Sequence, residues 1–489
     1  MFIIDYLFLI PELFLSLAVS VLLILGTSLT TSWRKILITN FGYLTIFLIL
    51  LFFFLCLQLP AVEYCLLQYQ YIATYFSFWF RILFLVLFVS CLALSLNYFF
   101  VERLFFIEYF FLVVLFCISS FFLISANDFV LFYLALELQA LIVYTMATLK
   151  RYAVFSTESG LKYFVLGALS SGLLLFGISI FYGFFGTFNF SDLKFLFLKW
   201  ADVNFSYTLL LPIVFIISGL LFKLAAAPFH IWTPDVYEGA PSPVVLFFAI
   251  LPKFAMLGFI TRFFLIWLYD IVAVWYIFVF FSGLLSVIVG TFAALNQLNI
   301  KRLYAYSAIV NVGYILTAIS YGTYDGIVAG FNYLITYFVA TFMIFTILMY
   351  FRNYVSFAKL KYLVEYRLYA SQGFLVGTII SLIFFSLAGV PPLAGFFIKF
   401  FLFKTLFSSE FLTNAAFFII LIMSVVSAFY YIRVIRFIFF TTKRKPFLFA
   451  PVATIPCFFL VNCCAVLIGF VFYQPTVYIL LGLAVSTLF

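Results

Sequence analysis

The sequence predicts an all-α polytopic membrane protein of about fourteen transmembrane helices, and three observations carry that prediction. Hydrophobic residues make up 68% of the 489 positions and charged residues only 8%, where ordinary soluble domains hold about 25% charged residues. Apolar runs of roughly 20 residues, the length that crosses a hydrocarbon core of about 30 Å, recur along the whole chain, and the mean hydropathy is +1.31. Basic residues gather between the runs. Rich and poor gaps alternate, as short loops on the two sides of a membrane do.

Taken in order, the runs centre near 7–30, 36–58, 78–98, 104–124, 129–149, 160–185, 206–227, 243–267, 271–295, 303–320, 326–350, 372–407, 412–440 and 451–473. The first, in MFIIDYLFLIPELFLSLAV, has neither the basic start of a signal peptide nor the Arg- and Ser-rich character of a transit peptide, so it reads as a membrane helix. With the next two it makes an N-terminal three-helix segment over 1–100. Five runs follow over 104–267 and five more over 271–440, and 450–489 supplies a last helix and a tail. Two runs are interrupted. Lys223 precedes Pro228 in GLLFKLAAAPFHIW, and proline removes a helical donor and crowds the preceding turn. The run 372–407 is too long for one straight span and contains Pro391 and Pro392, with Lys399 after them. Charge before break in one half and after it in the other is the order that two inverted five-helix repeats would produce, since an odd number of spans reverses orientation.

The loop charges support this count. Loops after odd-numbered spans hold Arg34, Lys35, Arg103, Lys150, Arg151, Lys301, Arg302, Arg352, Lys359, Lys361, Arg367, Arg436, Lys443, Arg444 and Lys445; loops after even-numbered spans hold Lys194, Lys199, Arg262 and Lys404. The positive-inside rule then puts both termini on the opposite, positively energised side. The net charge of +9 is divided among these clusters and forms no basic face, which excludes a nucleic-acid interface. The 7 cysteines are scattered, without a C-x-x-C. Ligands for an iron–sulfur cluster or a zinc site are missing, and a disulfide framework is not indicated. With no glycine-rich nucleotide loop or haem motif either, the chain is expected to bind no redox cofactor and no metal.

Setting the loop charges aside leaves Arg81, Glu137, Lys162, Lys223, Lys253, Lys399 and Arg433 at membrane depth. A charge at the bilayer centre costs about 2.5–3.5 kcal/mol on insertion scales, so such residues are functional candidates. Arg81 and Arg433 sit near span ends, where snorkelling to the interface is the simpler reading. Glu137, Lys223, Lys253 and Lys399 have apolar neighbours on both sides; a static ion pair, or a lysine held by backbone carbonyls, is the competing account. Lys162, four residues after Glu158, suits a local pair as well as a functional role. His230, the only histidine, either joins a proton route or caps the broken helix. A lysine in a low-dielectric site sheds its proton more readily, and a nearby carboxylate restores the charged form. Moving the partner therefore loads or releases a proton. The series Glu137, Lys223, Lys253, Lys399 thus reads as a lateral proton relay, with Ser, Thr, Tyr and water bridging the gaps.

The motifs SGLLFKLAAAPFHIWTPDVYEGAPSPV, STESGLKYFVLGALSSGLLLFG, NIKRLYAYSAIVNVGYIL and SLAGVPPLAGFFIKFFLF resemble, in order and spacing across 104 to about 440, the antiporter-like membrane subunits of respiratory NADH:ubiquinone oxidoreductase, complex I. WTPDVYEGAPSPV is similar to the subunit 2 branch. Lys399 fits that branch and subunit 5, whereas subunit 4 would have glutamate there and subunit 5 a long C-terminal helical extension. The resemblance implies two inverted five-helix repeats and proton pumping driven at a distance by quinone reduction in other subunits, which use NADH, FMN, iron–sulfur clusters and ubiquinone. It implies that Glu137 and Lys223 form an ion pair, that Lys253 is the central relay lysine and that Lys399 is the terminal one. Asn311 and Ala308 stand where the family commonly has histidine and serine, and asparagine carries no proton at neutral pH. Neighbours of the chain 4 and chain 4L kind, and phospholipids such as cardiolipin, are implied as partners. Heavy use of Phe (77) and Tyr (33) fits a gene read inside an AT-rich organelle. That places the chain in the mitochondrial inner membrane, basic loops to the matrix and termini to the intermembrane space, with a bacterial plasma membrane as the alternative. A subunit of a multisubunit cation/proton antiporter is the competing function.

Overall fold

Lipid offers a backbone no hydrogen-bond partner, so each apolar run must satisfy its own N–H and C=O groups by coiling into a helix. The computed structural model describes residues 8–28, 34–59, 63–102, 106–200, 206–351, 361–368, 374–407, 411–440 and 454–488. Arg103, Arg352, Lys359, Lys443, Arg444 and Lys445 lie outside the described residues. The helices are α1 (Ile10–Ser28), α2 (Arg34–Gln58), α3 (Tyr75–Glu102), α4 (Glu108–Ser125), α5 (Phe129–Ala147), α6 (Val154–Phe185), α7 (Phe190–Trp200), α8 (Ser206–Leu224), α9 (Trp232–Gly239), α10 (Ser242–Arg262), α11 (Val272–Leu295), α12 (Ile300–Ser320), α13 (Tyr324–Tyr350), α14 (Phe374–Ala388), α15 (Ala394–Leu406), α16 (Phe411–Phe439) and α17 (Thr454–Ser486). Among the described residues 12 helices are long and apolar enough to cross a membrane, and α8 and α14 are shorter apolar helices. The expected spans are therefore all occupied by helix.

Two compact units emerge. The first comprises Met1–Leu224, Gly239–Trp275 and Thr487–Phe489; the second comprises Ala225–Glu238 and Tyr276–Ser486. In the first unit α10 is the core helix, nearly all of its residues being buried, and it packs against α3, α4, α5 and α8. Close approach of α6 and α8 rests on small residues: a Cβ on Gly219 would stand 2.7 Å from that of Leu174. The outer face of α6 exposes Leu161, Val165 and Leu169, as a lipid-facing surface requires. In the second unit most residues of α12 and α13 are buried, and α13 packs against α12, α15 and α17. Helix α17 continues through Ser486, so the stretch expected to be a tail is helical. Its outward residues Phe458 and Phe472 are exposed.

The structure corrects several sequence expectations. An antiparallel hairpin, β1 (Tyr64–Leu66) with β2 (Tyr71–Ala73), stands between α2 and α3. Leu67, Gln68 and Tyr69 all have positive φ in its turn. It delivers Tyr71 to a charged pair: the hydroxyl donates to Glu12 Oε1 at 2.7 Å and accepts from Arg81 Nη2 at 2.5 Å, while Arg81 lies 3.6 Å from Glu12. Arg81 is thus buried rather than snorkelling, because α1 and the hairpin bring it a carboxylate and a phenol. Arg262 is not a loop cation either; it is buried, donates to the Ile124 carbonyl and sits 5.0 Å from the Trp267 ring. Arg433 donates to the Leu295 carbonyl at 2.9 Å, capping the C-terminus of α11.

Both interruptions have defined ends. Helix α8 stops at Leu224, four residues earlier than Pro228, because Ala225 adopts φ +65, the left-handed conformation that terminates a helix. Helix α14 ends in a Schellman motif: Gly389 has φ +89, its N–H bonds the Phe385 and Ser386 carbonyls, and the Val390 N–H returns to Phe385. The Ala227–Pro228 and Pro391–Pro392 bonds are both cis.

Candidate functional site

In the first unit Glu137 occupies the third turn of α5, and Lys223 is the penultimate residue of α8. No ion pair joins them. Lys223 Nζ instead donates to the Tyr144 hydroxyl at 3.4 Å, 5.7 Å from the ring centroid, and it remains within Coulombic reach of Glu137. Tyr144 follows Glu137 by two helical turns, so both side chains leave the same face of α5. Helix α6 holds the phenol in place. Tyr163 meets its ring edge-on at 4.7 Å, and Gly167 has no side chain where the Tyr144 hydroxyl lies. Glu137 Oε1 is buried with no hydrogen-bond partner. A carboxylate so placed interacts with Lys223 through the field, which weakens with distance far more gradually than a contact pair does.

Lys253 is 2% exposed at the middle of α10, the helix that packs against both α5 and α8. Pro252, directly before it, removes the N–H that would have served the Phe248 carbonyl. A polar backbone group is thereby freed one turn from the lysine.

In the second unit Lys399 lies on α15, 8% exposed. Its ammonium donates to the carbonyls of Leu387 at 2.9 Å and Ala388 at 3.0 Å. These belong to the last turn of α14, whose carbonyls have no donor within the helix and carry the negative end of its dipole. The approach of α15 to α14 requires Gly395, where a side chain would strike the Ser386 carbonyl. Lys399 also lines a cavity of about 20 Å³ with Asn311, Tyr333, Thr336, Tyr337 and Ser386. Asn311 Oδ1 accepts the Tyr333 hydroxyl at 2.7 Å, while its Nδ2 is buried without a hydrogen-bond partner.

The remaining candidates are placed differently. Lys162 pairs with Glu158 at 2.8 Å, both side chains about half exposed, on the outer face of α6. His230 lies in the turn before α9, where its own carbonyl accepts the Thr233 hydroxyl at 2.5 Å and its Nδ1 is buried without a hydrogen-bond partner.

Sequence reading missed several partners. Asp235 and Glu238 of α9 both hold Arg302 of α12, at 2.8 Å and 2.5 Å, and Asn299 donates to Glu238 at 2.7 Å. Two separately noted motifs, WTPDVYEG and NIKRLYAY, therefore form one polar clasp within the second unit. Tyr144 was detectable in principle, from its seven-residue spacing after Glu137 in an apolar helix. The carbonyls of Leu387 and Ala388 were not, since any residue type supplies one.

Comparison with known proteins gives concordant matches. Residues 126–429 match the family described as NADH:quinone oxidoreductase/Mrp antiporter, transmembrane. The chain is 38% identical over 454 residues to NADH-ubiquinone oxidoreductase chain 2 of Marchantia polymorpha, covering 91% of each. It is 39% identical over 446 residues to NADH-quinone oxidoreductase subunit N of Pelagibacter ubique, covering 90% of this chain and 91% of the relative. Among solved structures, a chain of respiratory complex I from Thermus thermophilus with bound aureothin superimposes with TM-score 0.75 at 27% identity, over 96% of this chain and 98% of the other. A chain of the archaeal membrane-bound sulfane sulfur reductase shares the fold, with TM-score 0.82 at 21% identity, over 99% and 98% of the two chains.

Proposed function

We propose a function from one premise, that the chain belongs to the NADH:quinone oxidoreductase/Mrp antiporter family: it is a proton-translocating membrane subunit of NADH:quinone oxidoreductase, of the chain 2 or subunit N kind. The observation that carries the proposal is the placement of charge. Lys223, Lys253 and Lys399 are 9%, 2% and 8% exposed, inside helices whose outward residues are apolar. Each stands beside a helix end or a proline that leaves backbone oxygens without helical donors.

The proposed mechanism is proton movement coupled electrostatically to redox chemistry in other subunits, which use NADH, FMN, iron–sulfur clusters and ubiquinone. Glu137 sets the field at Lys223, and displacing either charge changes the readiness of that lysine to release its proton. Tyr144 gives Lys223 a neutral resting partner, so it can change protonation state without breaking a contact ion pair. Lys253 follows as the next carrier within the first unit. Lys399 is the carrier of the second unit, tethered by two carbonyls that hold an ammonium well and an amine poorly. Lys162 and His230 take structural roles in this scheme.

Relatives occur in both plant mitochondria and bacteria. The composition favours the mitochondrial inner membrane, and the family resemblance adds chain 4-like and chain 4L-like neighbours and bound cardiolipin to the proposal. A multisubunit antiporter subunit is the second reading; a Mrp complex from Dietzia shares the fold at 19% identity and TM-score 0.75, while the chain 2 and subunit N relatives are twice as similar. Affinity purification from native membranes decides between them. Co-purifying subunits with flavin and iron–sulfur absorbance are expected; a stable assembly without them that exchanges sodium for protons would reverse the assignment.

A further inference from the structure

We propose that Arg262 closes to protons the end of the first unit where α10 stops: a fixed cation beneath an aromatic lid, which keeps a proton held on Lys253 from leaving along that helix. The proposal rests on the reading of Lys253 as a carrier. It concerns a charge that the proposed mechanism leaves unused.

Arg262, the last residue of α10, is 1% exposed. Among the described residues no carboxylate forms an ion pair with it: one nitrogen donates to the Ile124 carbonyl in the last turn of α4, and Nε is buried without a hydrogen-bond partner. The guanidinium of Arg81 is within Coulombic reach but already has Glu12 at 3.6 Å. Glu63 reaches Arg262 as well, yet it is exposed, where water and salt screen it. Two buried guanidiniums here share one buried carboxylate. Burying a cation without its counter-ion is costly, and an apolar side chain would fill the same space at less expense. A guanidinium has the property a barrier needs: it does not deprotonate in proteins. The position therefore stays positive whatever the state of the relay, and it can neither accept a proton nor pass one on.

The backbone then folds a lid over this charge. From Phe263 to Trp267 the chain continues as a π-helix, in which the Leu268 N–H bonds the Phe263 carbonyl at 3.2 Å. Residues five apart diverge by about 140° around an α-helix; the wider π turn closes that angle, and the Trp267 ring comes to 5.0 Å from the Arg262 guanidinium. Trp267 packs at 4.6 Å against Phe190 of α7, which meets Phe263 at 5.2 Å and Phe129 at 4.7 Å. All four rings are buried. Hydrophobic constrictions exclude water and a fixed arginine excludes protons, and this end of the first unit carries both. The charge also acts at range. Lys253 stands nine residues earlier on the same helix, about 13.5 Å of rise, and at an effective dielectric of about 20 a unit charge at that distance disfavours a second about eightfold.

The test uses the purified complex in proteoliposomes, with Arg262→Gln, Arg262→Lys and, for the carrier reading, Lys253→Met. Glutamine keeps a donor for the Ile124 carbonyl and removes the charge; lysine keeps both at about pH 6, far below the ordinary ammonium range. A pre-imposed proton gradient is expected to collapse about five- to tenfold faster in Arg262→Gln than in the native complex, with a lowered proton-to-electron ratio while NADH oxidation continues. Arg262→Lys should bring both quantities back to within about twofold of native, the difference being set by charge rather than shape. A purely structural role would weaken assembly on native gels without a leak that lysine reverses. A tight Arg262→Gln complex with the native ratio, or an equal leak in Arg262→Lys, would overturn the barrier. If pumping is lost in Lys253→Met alongside either of those results, Lys253 remains a carrier and only the barrier falls. Native pumping in Lys253→Met would remove the carrier and, with it, the barrier's purpose.

Discussion

Replacing Lys399 by arginine and by methionine separates a proton carrier from a structural cation. The native ammonium makes two bonds to the terminal carbonyls of α14, at 2.9 and 3.0 Å. Hydrogen bonds from a charged donor contribute about 1.5–3 kcal/mol each, so methionine forfeits about 3–6 kcal/mol at the α14–α15 junction. Water reaching the freed carbonyls offsets part of that. Arginine retains donors for both carbonyls and should hold the junction to within about 1 kcal/mol, yet its guanidinium does not deprotonate in proteins. The expected pattern is loss of pumping in both variants with loss of thermal stability in methionine alone. NADH-driven acidification of vesicles, the proton-to-electron ratio, and native gels of the heated complex measure these quantities. An arginine variant that pumps with the native ratio would refute the carrier role and leave Lys399 as a helix cap.

Further expectations concern other contacts. Glu137→Gln keeps the side-chain shape but removes the charge that reaches Lys223, so pumping should fall several-fold with assembly intact; an unchanged proton-to-electron ratio would take Glu137 out of the mechanism. Gly395→Ala drives a methyl into the Ser386 carbonyl, and overpacking of this kind costs about 1–3 kcal/mol. That variant should assemble poorly on native gels, and normal assembly with normal heat resistance would contradict the tight crossing. Arg302→Ala removes the cation that Asp235 and Glu238 share in the α9 clasp. With more than a third of each side chain exposed, the loss should be limited to about 1–2 kcal/mol, read as a melting temperature lowered by a few degrees while pumping persists; no shift at all would mean that the clasp is energetically silent.

Much of this protein was determined by its sequence because lipid imposes local rules. Every backbone group must be satisfied within its own segment and every charge at depth is expensive, so span count, the two interruptions and the candidates Glu137, Lys223, Lys253 and Lys399 all follow from short windows of residues. Proline marked where each break occurs, though the left-handed Ala225 ended α8 four residues before Pro228, a choice that no residue type in KLAAAP signals.

Partnership, by contrast, was decided by tertiary structure alone. Lys223 finds Tyr144 across 79 positions and Arg302 finds Asp235 across 67; Arg81, expected at an interface, is buried because Glu12 and Tyr71 converge on it. Asn311 looked inert by its chemistry, and only the packing of α12 against α13 gives it a hydroxyl to orient. A charge's partner depends on distance in space, and helices carry their side chains past neighbours that sequence separation does not encode. The cavity beside Lys399 is lined by residues of α12, α13, α14, α15 and α17 at once, so no single stretch of the chain contains it.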